Sequence, residues 1–381
     1  MADVRGYCDP SFTSVRELLE QRIASGVEIG ASLCINIEGK NVVDIWGGYA
    51  DEAHTRPWEK DTLSPVWSSS KVVTNLAANL LADRGLLDVN EKVATYWPEF
   101  AANGKENVKV SHILGHSSGV SAWQPGTTYE EILDVEGATA KLAEMTPLWT
   151  PGELNGYHLI SQGHLVGEIV RRVSGKSLNQ FIADEITGPL DADYRLGLPK
   201  ELWARTADIV PFTPSAFPDI DPTSIAARTY AGTPVSPALA VAPNSPSFRA
   251  AQLGGMGGFS NARALARIGS MVSLNGTVDG KQYLSPRTIE NMLQEQVAGL
   301  DAVLFQYLRF GLGVGLPSPQ SLPWIPEGRI CFWGGWGGSL LLMDLDRRMT
   351  IGYVMNKMHE SILGYERTTH DYVKEIYKAL G

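Results

Sequence analysis

The order of strand-like and helix-like segments along the chain is the feature that most constrains its fold. Near the start, apolar runs at 31–37 and 42–46 flank a glycine turn at 38–40, which predicts a β-hairpin. Amphipathic helical patterns occur at 11–25 and 366–380, close to the two ends. Because both ends supply sheet and helix, we predict one antiparallel sheet flanked by N- and C-terminal helices. The late strands are predicted at 308–314, 329–333, 340–345 and 349–355.

The middle of the chain has a different pattern. From about 63 to 299, helical periodicity with short turns dominates, which predicts a mainly helical lobe. The α/β lobe then comprises about 1–62 and 300–381, and the fold class is α/β of the α+β type in a single unit. Eight prolines at 211–246 predict an irregular surface segment, either a lid or binding loop or an insertion without function.

Composition excludes several functional classes. The chain has 381 residues with 44% hydrophobic and 19% charged residues, as expected of a globular protein with a sizeable core. A net charge of −10 argues against nucleic acid and anionic membrane as partners, and no apolar run reaches membrane-spanning length. Three scattered cysteines and a start without a signal-peptide pattern favour a cytoplasmic location. Histidine and cysteine spacings predict no metal site, and we expect no cofactor.

A Ser-x-x-Lys motif stands at the head of an apolar helix. Ser64 and Pro65 are typical of a helix start, and Gly85 is typical of its end. Ser68 and Lys71 are three residues apart, so they share one side of the first turns. A hydroxyl needs a neighbouring base to become a nucleophile, and a partly desolvated lysine loses its proton more easily. The motif alone is weak, since about one such match is expected by chance.

Two further segments could complete such a site. Tyr157 follows Pro151-Gly152, and a phenol near an ammonium group is more acidic than in water. The alternative is a core tyrosine tied to backbone. The second segment is CFWGGWGGS at 331–339, whose many glycines would let a ligand approach a strand end closely. A backbone N–H at this strand end could then form an oxyanion hole together with the N–H of Ser68. The alternative is a plain glycine-rich turn.

Together these segments resemble the serine β-lactamase and penicillin-recognising enzyme family, in its class C-like branch of family VIII carboxylesterases and lovastatin-type acyltransferases. Scaffold stretches such as HILGHSSGV and GGFSNARALARIGSM agree in order and spacing. The resemblance implies a serine β-lactamase-like fold and an acyl-enzyme mechanism. Ser68 would attack a carbonyl, Lys71 and Tyr157 would take its proton, and the N–H groups of Ser68 and Trp336 would hold the oxyanion.

Departures from the family pattern indicate the substrate. Leu159 stands where the lactamases carry asparagine, and Trp333 stands where they carry a carboxylate-binding lysine. Losing both favours neutral, apolar acyl groups, and therefore an esterase or acyltransferase over a lactamase. The predicted substrate-contacting residues are Trp333, Gly334, Gly335, His158 and Trp123.

We therefore expect a serine hydrolase that cleaves small-molecule carboxylic esters, or transfers an acyl group from an ester or thioester to an alcohol. An alcohol acceptor or an acyl carrier would then be a further partner. The alternatives are a β-lactamase or D-aminopeptidase-like amidase, and a catalytically silent ligand-binding homologue. A second serine motif, GHSSG at 115–119, matches G-x-S-x-G but lacks the strand–turn–helix context, so Ser117 is not expected to be the nucleophile.

Overall fold

The structure, a computed structural model, describes residues 3–212, 220–359 and 369–381. The strands are β1 (Arg5–Cys8), β2 (Gly30–Ile37), β3 (Lys40–Gly48), β4 (Ser64–Pro65), β5 (Tyr194–Leu196), β6 (Gly258–Ser260), β7 (Thr277–Val278), β8 (Lys281–Gln282), β9 (Val297–Leu300), β10 (Tyr307–Phe310), β11 (Ile330–Gly334), β12 (Leu340–Asp344) and β13 (Met349–Met355). The α-helices are α1 (Thr13–Ala24), α2 (Ser70–Asp83), α3 (Val93–Tyr96), α4 (Val110–Leu114), α5 (Tyr129–Leu133), α6 (Val135–Glu144), α7 (Ser161–Ser174), α8 (Leu178–Ile182), α9 (Gly188–Leu190), α10 (Ile225–Ala231), α11 (Pro237–Val241), α12 (Pro246–Ala250), α13 (Ala262–Ser273), α14 (Pro286–Leu293) and α15 (His370–Leu380).

Both ends of the chain build the main sheet, as predicted. In the described residues its order is β1-β3-β2-β13-β12-β11, antiparallel throughout. The join between the two ends is the pairing of β13 with β2, in which Ile351 lies opposite Ile35. The central strands are buried almost throughout, which explains their continuous apolar sequences. Helices α1 and α15 pack together beside this sheet. The predicted α+β architecture is therefore confirmed.

Helix α13 covers the sheet at very short range. A Cβ added to Gly269 would lie 2.6 Å from Thr350 Cγ2, and one added to Gly352 of β13 would lie 2.3 Å from the Ala262 carbonyl oxygen. Glycine at both positions lets helix and strand backbones approach more closely than side chains allow. The predicted helical lobe at 63–299 included this helix. In the structure α13 packs against β2, β12 and β13 of the main sheet.

The helix that carries Lys71 begins later than its sequence indicated. Ser64 and Pro65 form β4, which pairs with β6 in antiparallel register. The Ser64 hydroxyl donates to the Met355 carbonyl oxygen at 2.7 Å, so it ties β4 to the end of β13 and does not cap a helix. A 3₁₀ turn, Trp67–Ser69, follows, and α2 starts only at Ser70. From there α2 is buried on all sides for three turns, as a central helix should be.

Two predicted elements fall partly outside the described residues. Within the proline-rich segment 211–246, residues 213–219 are not described, and the prediction of a lid stays a prediction. From 220 onward this segment forms short helices, of which α10 and α11 each begin at a serine whose side chain accepts a backbone N–H. For the helix predicted at 366–380, residues 366–368 lie outside the described range and α15 is described from His370.

Three sequence expectations concern membrane, metal and thiols. Among the helices that the structure describes, none combines the length and apolarity needed to cross a bilayer. In the same residues no cluster of three or more histidine, cysteine or acidic side chains could hold a metal ion. Cys8, Cys34 and Cys331 are free thiols, and the last two are buried.

Candidate active site

The predicted nucleophile lies in a backbone turn that is held from two sides. Trp67, immediately before Ser68, has φ +47°, a left-handed conformation that is uncommon for a large side chain. The Val66 N–H donates to the Gly258 carbonyl at 2.9 Å, and the Ser339 hydroxyl donates to the Val66 carbonyl at 2.7 Å. Ser68 is partly exposed, whereas the two serines that follow it are buried. The turn therefore presents the Ser68 hydroxyl toward solvent at the head of α2.

Lys71 lies beside that hydroxyl, as its spacing predicted. Its Nζ is 3.2 Å from Ser68 Oγ, 2.7 Å from the Leu159 carbonyl oxygen and 2.8 Å from the Gly255 carbonyl oxygen. A neutral amine has two hydrogens and one lone pair. The two carbonyl groups accept both hydrogens, so the lone pair is left for the proton of Ser68. This geometry suits a general base.

The protonation state of Lys71 follows from its burial. The side chain is 2% exposed, and its Nζ forms no ion pair with the acidic side chains that the structure describes. Desolvation lowers the pKa of Lys71 to about 7. Near neutral pH a large fraction of the amine is therefore unprotonated and able to accept a proton.

Tyr157 completes the predicted trio. Its hydroxyl forms hydrogen bonds with Ser68 and with the indole of Trp333, whose Nε1 donates to the phenol oxygen at 2.9 Å. The Nζ of Lys71 lies 4.9 Å from the centre of the Tyr157 ring. The structure thus brings together a hydroxyl, an amine and a phenol from distant parts of the sequence.

The phenol is less acidic than its sequence context suggested. Burial raises the pKa of Tyr157 above its ordinary value, and the charge of Asp301 raises it further, while the hydrogen bonds with Ser68 and Trp333 only partly oppose this. The expectation of an acidified phenol assumed a charged lysine beside it. Since desolvation favours the neutral amine, the opposing charge is weak, and Tyr157 is a neutral hydroxyl group at physiological pH.

The glycine-rich strand end is packed directly on the nucleophile turn. A Cβ added to Gly335 would lie 2.4 Å from the Val66 carbonyl oxygen and 2.9 Å from Trp67 Cβ, so only glycine fits there. Within the described ranges, neither the Ser68 N–H nor the Trp336 N–H donates to a backbone carbonyl. Two N–H groups on adjoining segments are the arrangement that an oxyanion hole requires.

Aromatic rings surround this strand end. Trp333 packs against Tyr157 and Phe310, with both centroid distances at 5.1 Å. Trp336, which is partly exposed, packs edge-on against Trp67 at 5.2 Å. Between the two tryptophans, Gly334 pairs with Leu340 in the sheet and is buried. The walls beside the nucleophile are therefore apolar and aromatic.

Two residues predicted to contact substrate lie elsewhere. His158 is fully buried, with Nε2 2.6 Å from Ser118 Oγ and Nδ1 2.7 Å from the Gly156 carbonyl oxygen. Trp123 is 1% exposed and donates its indole N–H to the Ala138 carbonyl at 2.8 Å. Because both side chains are enclosed and hydrogen-bonded within the protein, we correct these two assignments to structural roles.

Other residues complete the description of the site. Ser117 is 2% exposed and away from solvent, in line with its rejection as nucleophile. His116, with φ +60°, packs its ring 4.6 Å from that of Tyr157 and accepts the His158 N–H at Nδ1. The sequence reasoning also missed Asp301, a buried carboxylate that accepts the Tyr157 N–H. No local motif marks Asp301, because its partner is 144 positions away.

The chain is similar to known proteins over most of its length. A family model described as Beta-lactamase matches residues 15–371. Esterase/beta-lactamase LipL of Mycobacterium tuberculosis is 30% identical over 365 residues, covering 93% of this chain and 83% of LipL. The crystal structure of a family VIII carboxylesterase is 34% identical with a TM-score of 0.90, over 99% of this chain and 100% of that one. Unliganded simvastatin synthase (LovD) of Aspergillus terreus has a TM-score of 0.69 over 98% of both chains at 17% identity, a likeness of fold alone.

These similarities span almost the whole chain. They confirm the resemblance and the fold class expected from the Ser-x-x-Lys, tyrosine and glycine-rich segments. The fold is that of serine β-lactamases and penicillin-binding proteins. By sequence and by architecture, the chain belongs to the β-lactamase family.

Proposed function

We propose that the chain is a serine carboxylesterase that forms an acyl-enzyme on Ser68. The observation that carries this proposal is the contact of Lys71 Nζ with Ser68 Oγ at 3.2 Å, made by a buried amine whose two hydrogens have carbonyl acceptors. Relatives named as esterases, LipL and EstB of Burkholderia gladioli among them, support the reaction class.

Acylation begins with attack of Ser68 Oγ on the ester carbonyl carbon. The Lys71 amine accepts the hydroxyl proton as the bond forms, which avoids a free alkoxide. Negative charge then develops on the carbonyl oxygen, where the N–H groups of Ser68 and Trp336 donate hydrogen bonds. Donors of this kind typically contribute about 3 kcal/mol each to the transition state.

Tyr157 donates a proton to the leaving group. Its neutral hydroxyl bonds to Ser68 and can pass a proton to the departing alkoxide, while the Lys71 ammonium re-supplies that proton. In deacylation the same groups act in reverse on a water molecule or an alcohol. Hydrolysis and acyl transfer therefore differ only in which hydroxyl reaches the acyl-enzyme.

The environment of the site favours neutral substrates. Trp333 offers a single neutral N–H, and that donor is directed at Tyr157 rather than at a ligand carboxylate. The partly exposed ring of Trp336 suits an apolar acyl group, whereas Trp333 is 3% exposed and contributes through its contact with Tyr157. We infer that small to medium aliphatic or aromatic esters and thioesters are better substrates than β-lactams, which carry a carboxylate.

The test is a substrate panel on wild type and Ser68→Ala. Aryl esters, alkyl esters, a thioester and a chromogenic cephalosporin are compared, each with and without a simple alcohol as acceptor. We expect ester turnover in the wild type and essentially none in Ser68→Ala, with the circular dichroism spectrum unchanged. Faster turnover of the cephalosporin than of any ester would replace the proposal with a β-lactamase, as the double name of LipL allows.

A second measurement identifies the nucleophile directly. A fluorophosphonate probe reacts with activated serines, and mass spectrometry of the digested adduct locates the modified residue. We expect the label on Ser68 and not on Ser117. Absence of any label would favour the catalytically silent ligand-binding homologue. In the substrate panel, formation of a new ester from the added alcohol would show acyl transfer.

A further inference from the structure

A buried carboxylate lies directly behind the catalytic tyrosine. Asp301 is fully buried in the connection between β9 and β10. Its Oδ2 accepts the Tyr157 N–H at 2.9 Å. Its Oδ1 accepts the N–H groups of Val303 and Leu304 at 2.9 and 2.8 Å, and also accepts the Tyr157 N–H at 3.1 Å. Both oxygens therefore share the Tyr157 N–H, Oδ2 is the closer acceptor, and Oδ1 also closes the local turn.

The same two segments are joined by a second set of contacts. Asn155 Nδ2 donates to the carbonyl groups of Gly299 and Leu308 at 3.2 and 3.1 Å, and the Ala302 N–H donates to the Asn155 carbonyl at 2.8 Å. The tyrosine loop and the β9–β10 connection therefore form one hydrogen-bonded unit. Within this unit Asp301 supplies the charged group.

A carboxylate in this place is costly, so its presence calls for a reason. Burial raises the pKa of Asp301 to about 6, and the three backbone N–H groups oppose this only in part. An acid whose pKa is raised by folding contributes stability that is present at low pH and lost as pH rises through about 6. The local turn needs only Oδ1, which a carboxamide oxygen could replace together with the 3.1 Å bond from the Tyr157 N–H. The shorter 2.9 Å bond from Tyr157 to Oδ2 is what an amide could not supply.

We propose that Asp301 is a positioning residue for the catalytic tyrosine, which it holds by its backbone so that the phenol stays between Ser68 and Trp333. This inference rests on the proposed function. The titratable groups that the charge of Asp301 affects are the phenols of Tyr157 and Tyr230, and it raises the pKa of both. The charge thus also helps to keep Tyr157 protonated, as a proton donor to the leaving group must be.

Asp301→Asn removes the closer acceptor of the Tyr157 N–H and keeps the local turn. The amide oxygen can still accept the N–H groups of Val303 and Leu304 and the longer bond from Tyr157, but the amide NH₂ replaces Oδ2 and faces the Tyr157 N–H, a donor against a donor. We expect kcat for an aryl ester to fall about 10- to 100-fold with little change in KM, because displacing a proton-transfer group by about 1 Å has an effect of this size. Asp344→Asn is the matched control. Asp344, the last residue of β12, is equally buried, and its side chain accepts the backbone N–H of Arg347 at 2.9 Å. This substitution should leave kcat unchanged.

The pH profile gives a readout that a purely structural role would not move. In the wild type two groups must be unprotonated, the Lys71 amine with a pKa of about 7 and the Asp301 carboxyl with a pKa of about 6. Below pH 6, log(kcat/KM) should therefore fall more steeply than one proton allows. In Asp301→Asn the second ionisation is gone, and the acid limb should have a slope of one.

Several results would overturn the inference. The first is an Asp301→Asn enzyme whose kcat is within about twofold of the wild-type value. The second is a slow Asp301→Asn enzyme whose log(kcat/KM) still falls steeply below pH 6. The third is a folded wild type whose log(kcat/KM) changes with a slope of one down to pH 5. If Asp301→Asn does not fold, the wild-type limb alone decides. Failure of the proposed function looks different: the wild type would hydrolyse no ester and take no fluorophosphonate label on Ser68, and the inference would fall with it.

Discussion

The indole Nε1 of Trp333 donates a hydrogen bond to the hydroxyl oxygen of Tyr157 at 2.9 Å, in a buried contact between residues 176 positions apart. A neutral donor at this place has a different effect from a cation. It orients the phenol oxygen and stabilises developing charge on it, while its lowering of the Tyr157 pKa is smaller than the rise caused by burial. Tyr157 therefore stays a neutral phenol beside the Lys71 amine.

Trp333→Phe tests this relationship. The ring contacts to Tyr157 and Phe310 remain largely available, but the donor is lost. We expect kcat/KM for an aryl ester to fall about tenfold, because a buried hydrogen bond contributes about 1 to 1.5 kcal/mol and about 1.4 kcal/mol corresponds to a factor of ten in rate. Steady-state kinetics of the purified variant measure this directly.

The matched control is Trp123→Phe. Trp123 also loses a buried indole hydrogen bond, the one to the Ala138 carbonyl, but it lies in the core away from the trio. We expect a lower melting temperature with kcat/KM nearly unchanged. If Trp123→Phe changed KM by a factor as large as the change in kcat/KM of Trp333→Phe, Trp123 would again be assigned to the substrate pocket.

The ionisation of Lys71 sets the pH dependence of the reaction. Only the neutral amine can accept the Ser68 proton, and desolvation lowers its pKa to about 7. Activity should therefore rise with pH through 7 and level off above it, with a change of about fivefold between pH 7 and 6 from this group alone. Lys71→Met should lose about 10²- to 10⁴-fold in kcat/KM, as expected on removal of a general base.

The same ionisation affects stability with a definite sign. Between pH 7 and 9 the unfolded chain carries a protonated lysine that the folded chain has released, so the free energy of unfolding rises with pH in this window. Lys71→Met lacks this contribution. Urea unfolding at pH 7 and 9 should show the wild type gaining stability relative to the variant. An equal change in both proteins would contradict a depressed lysine pKa.

How far the sequence predicts this site can be judged from individual residues. Ser68 and Lys71 were readable because the 3₁₀ turn that holds Ser68 continues directly into α2, so a spacing of three residues places them on the same side. The hairpin at 31–46 and the late strands were readable for a similar reason, since period and turn residues are local signals. The sheet that joins them followed from the presence of such segments at both ends.

What the sequence could not reveal depends on contacts distant in the chain. Asp301 meets Tyr157 across 144 positions, and its burial, not its neighbours in sequence, makes it distinctive. His158 was misassigned because adjacency to Tyr157 says nothing about the direction of a side chain outside a regular element. Ser64 resembled a helix cap, but its hydroxyl is taken by Met355, 291 positions away. Tertiary hydrogen bonds overrode local propensity in each case.

Tyr157→Phe should be slow but not inactive. Lys71 touches Ser68 directly, so the serine keeps its base, whereas the leaving group loses its proton donor and Trp333 loses its acceptor. We expect kcat/KM to fall about 10²- to 10³-fold, with a smaller loss for esters of acidic phenols, whose leaving groups need no proton. The acid limb near pH 7 should persist, since it belongs to Lys71. Its disappearance in Tyr157→Phe would assign the base role to the phenol.

Gly335→Ala tests whether the strand end must touch the nucleophile turn. An added methyl group would lie 2.2 Å from Ser339 Oγ and 2.4 Å from the Val66 carbonyl oxygen, so β11 and the turn would have to separate. We expect a loss of about 1 to 3 kcal/mol in the free energy of unfolding, and a larger relative loss of kcat as the Trp336 N–H moves away from the oxyanion. Gly167→Ala, in the middle of α7, is the control. Its added methyl group would lie 3.4 Å from the side chain of Leu178 in α8, which is an ordinary van der Waals distance. That variant should be as stable as the wild type or more so, and fully active. If Gly335→Ala lost stability but kept wild-type kcat, the contact would serve folding only, and the second oxyanion donor would have to be sought elsewhere.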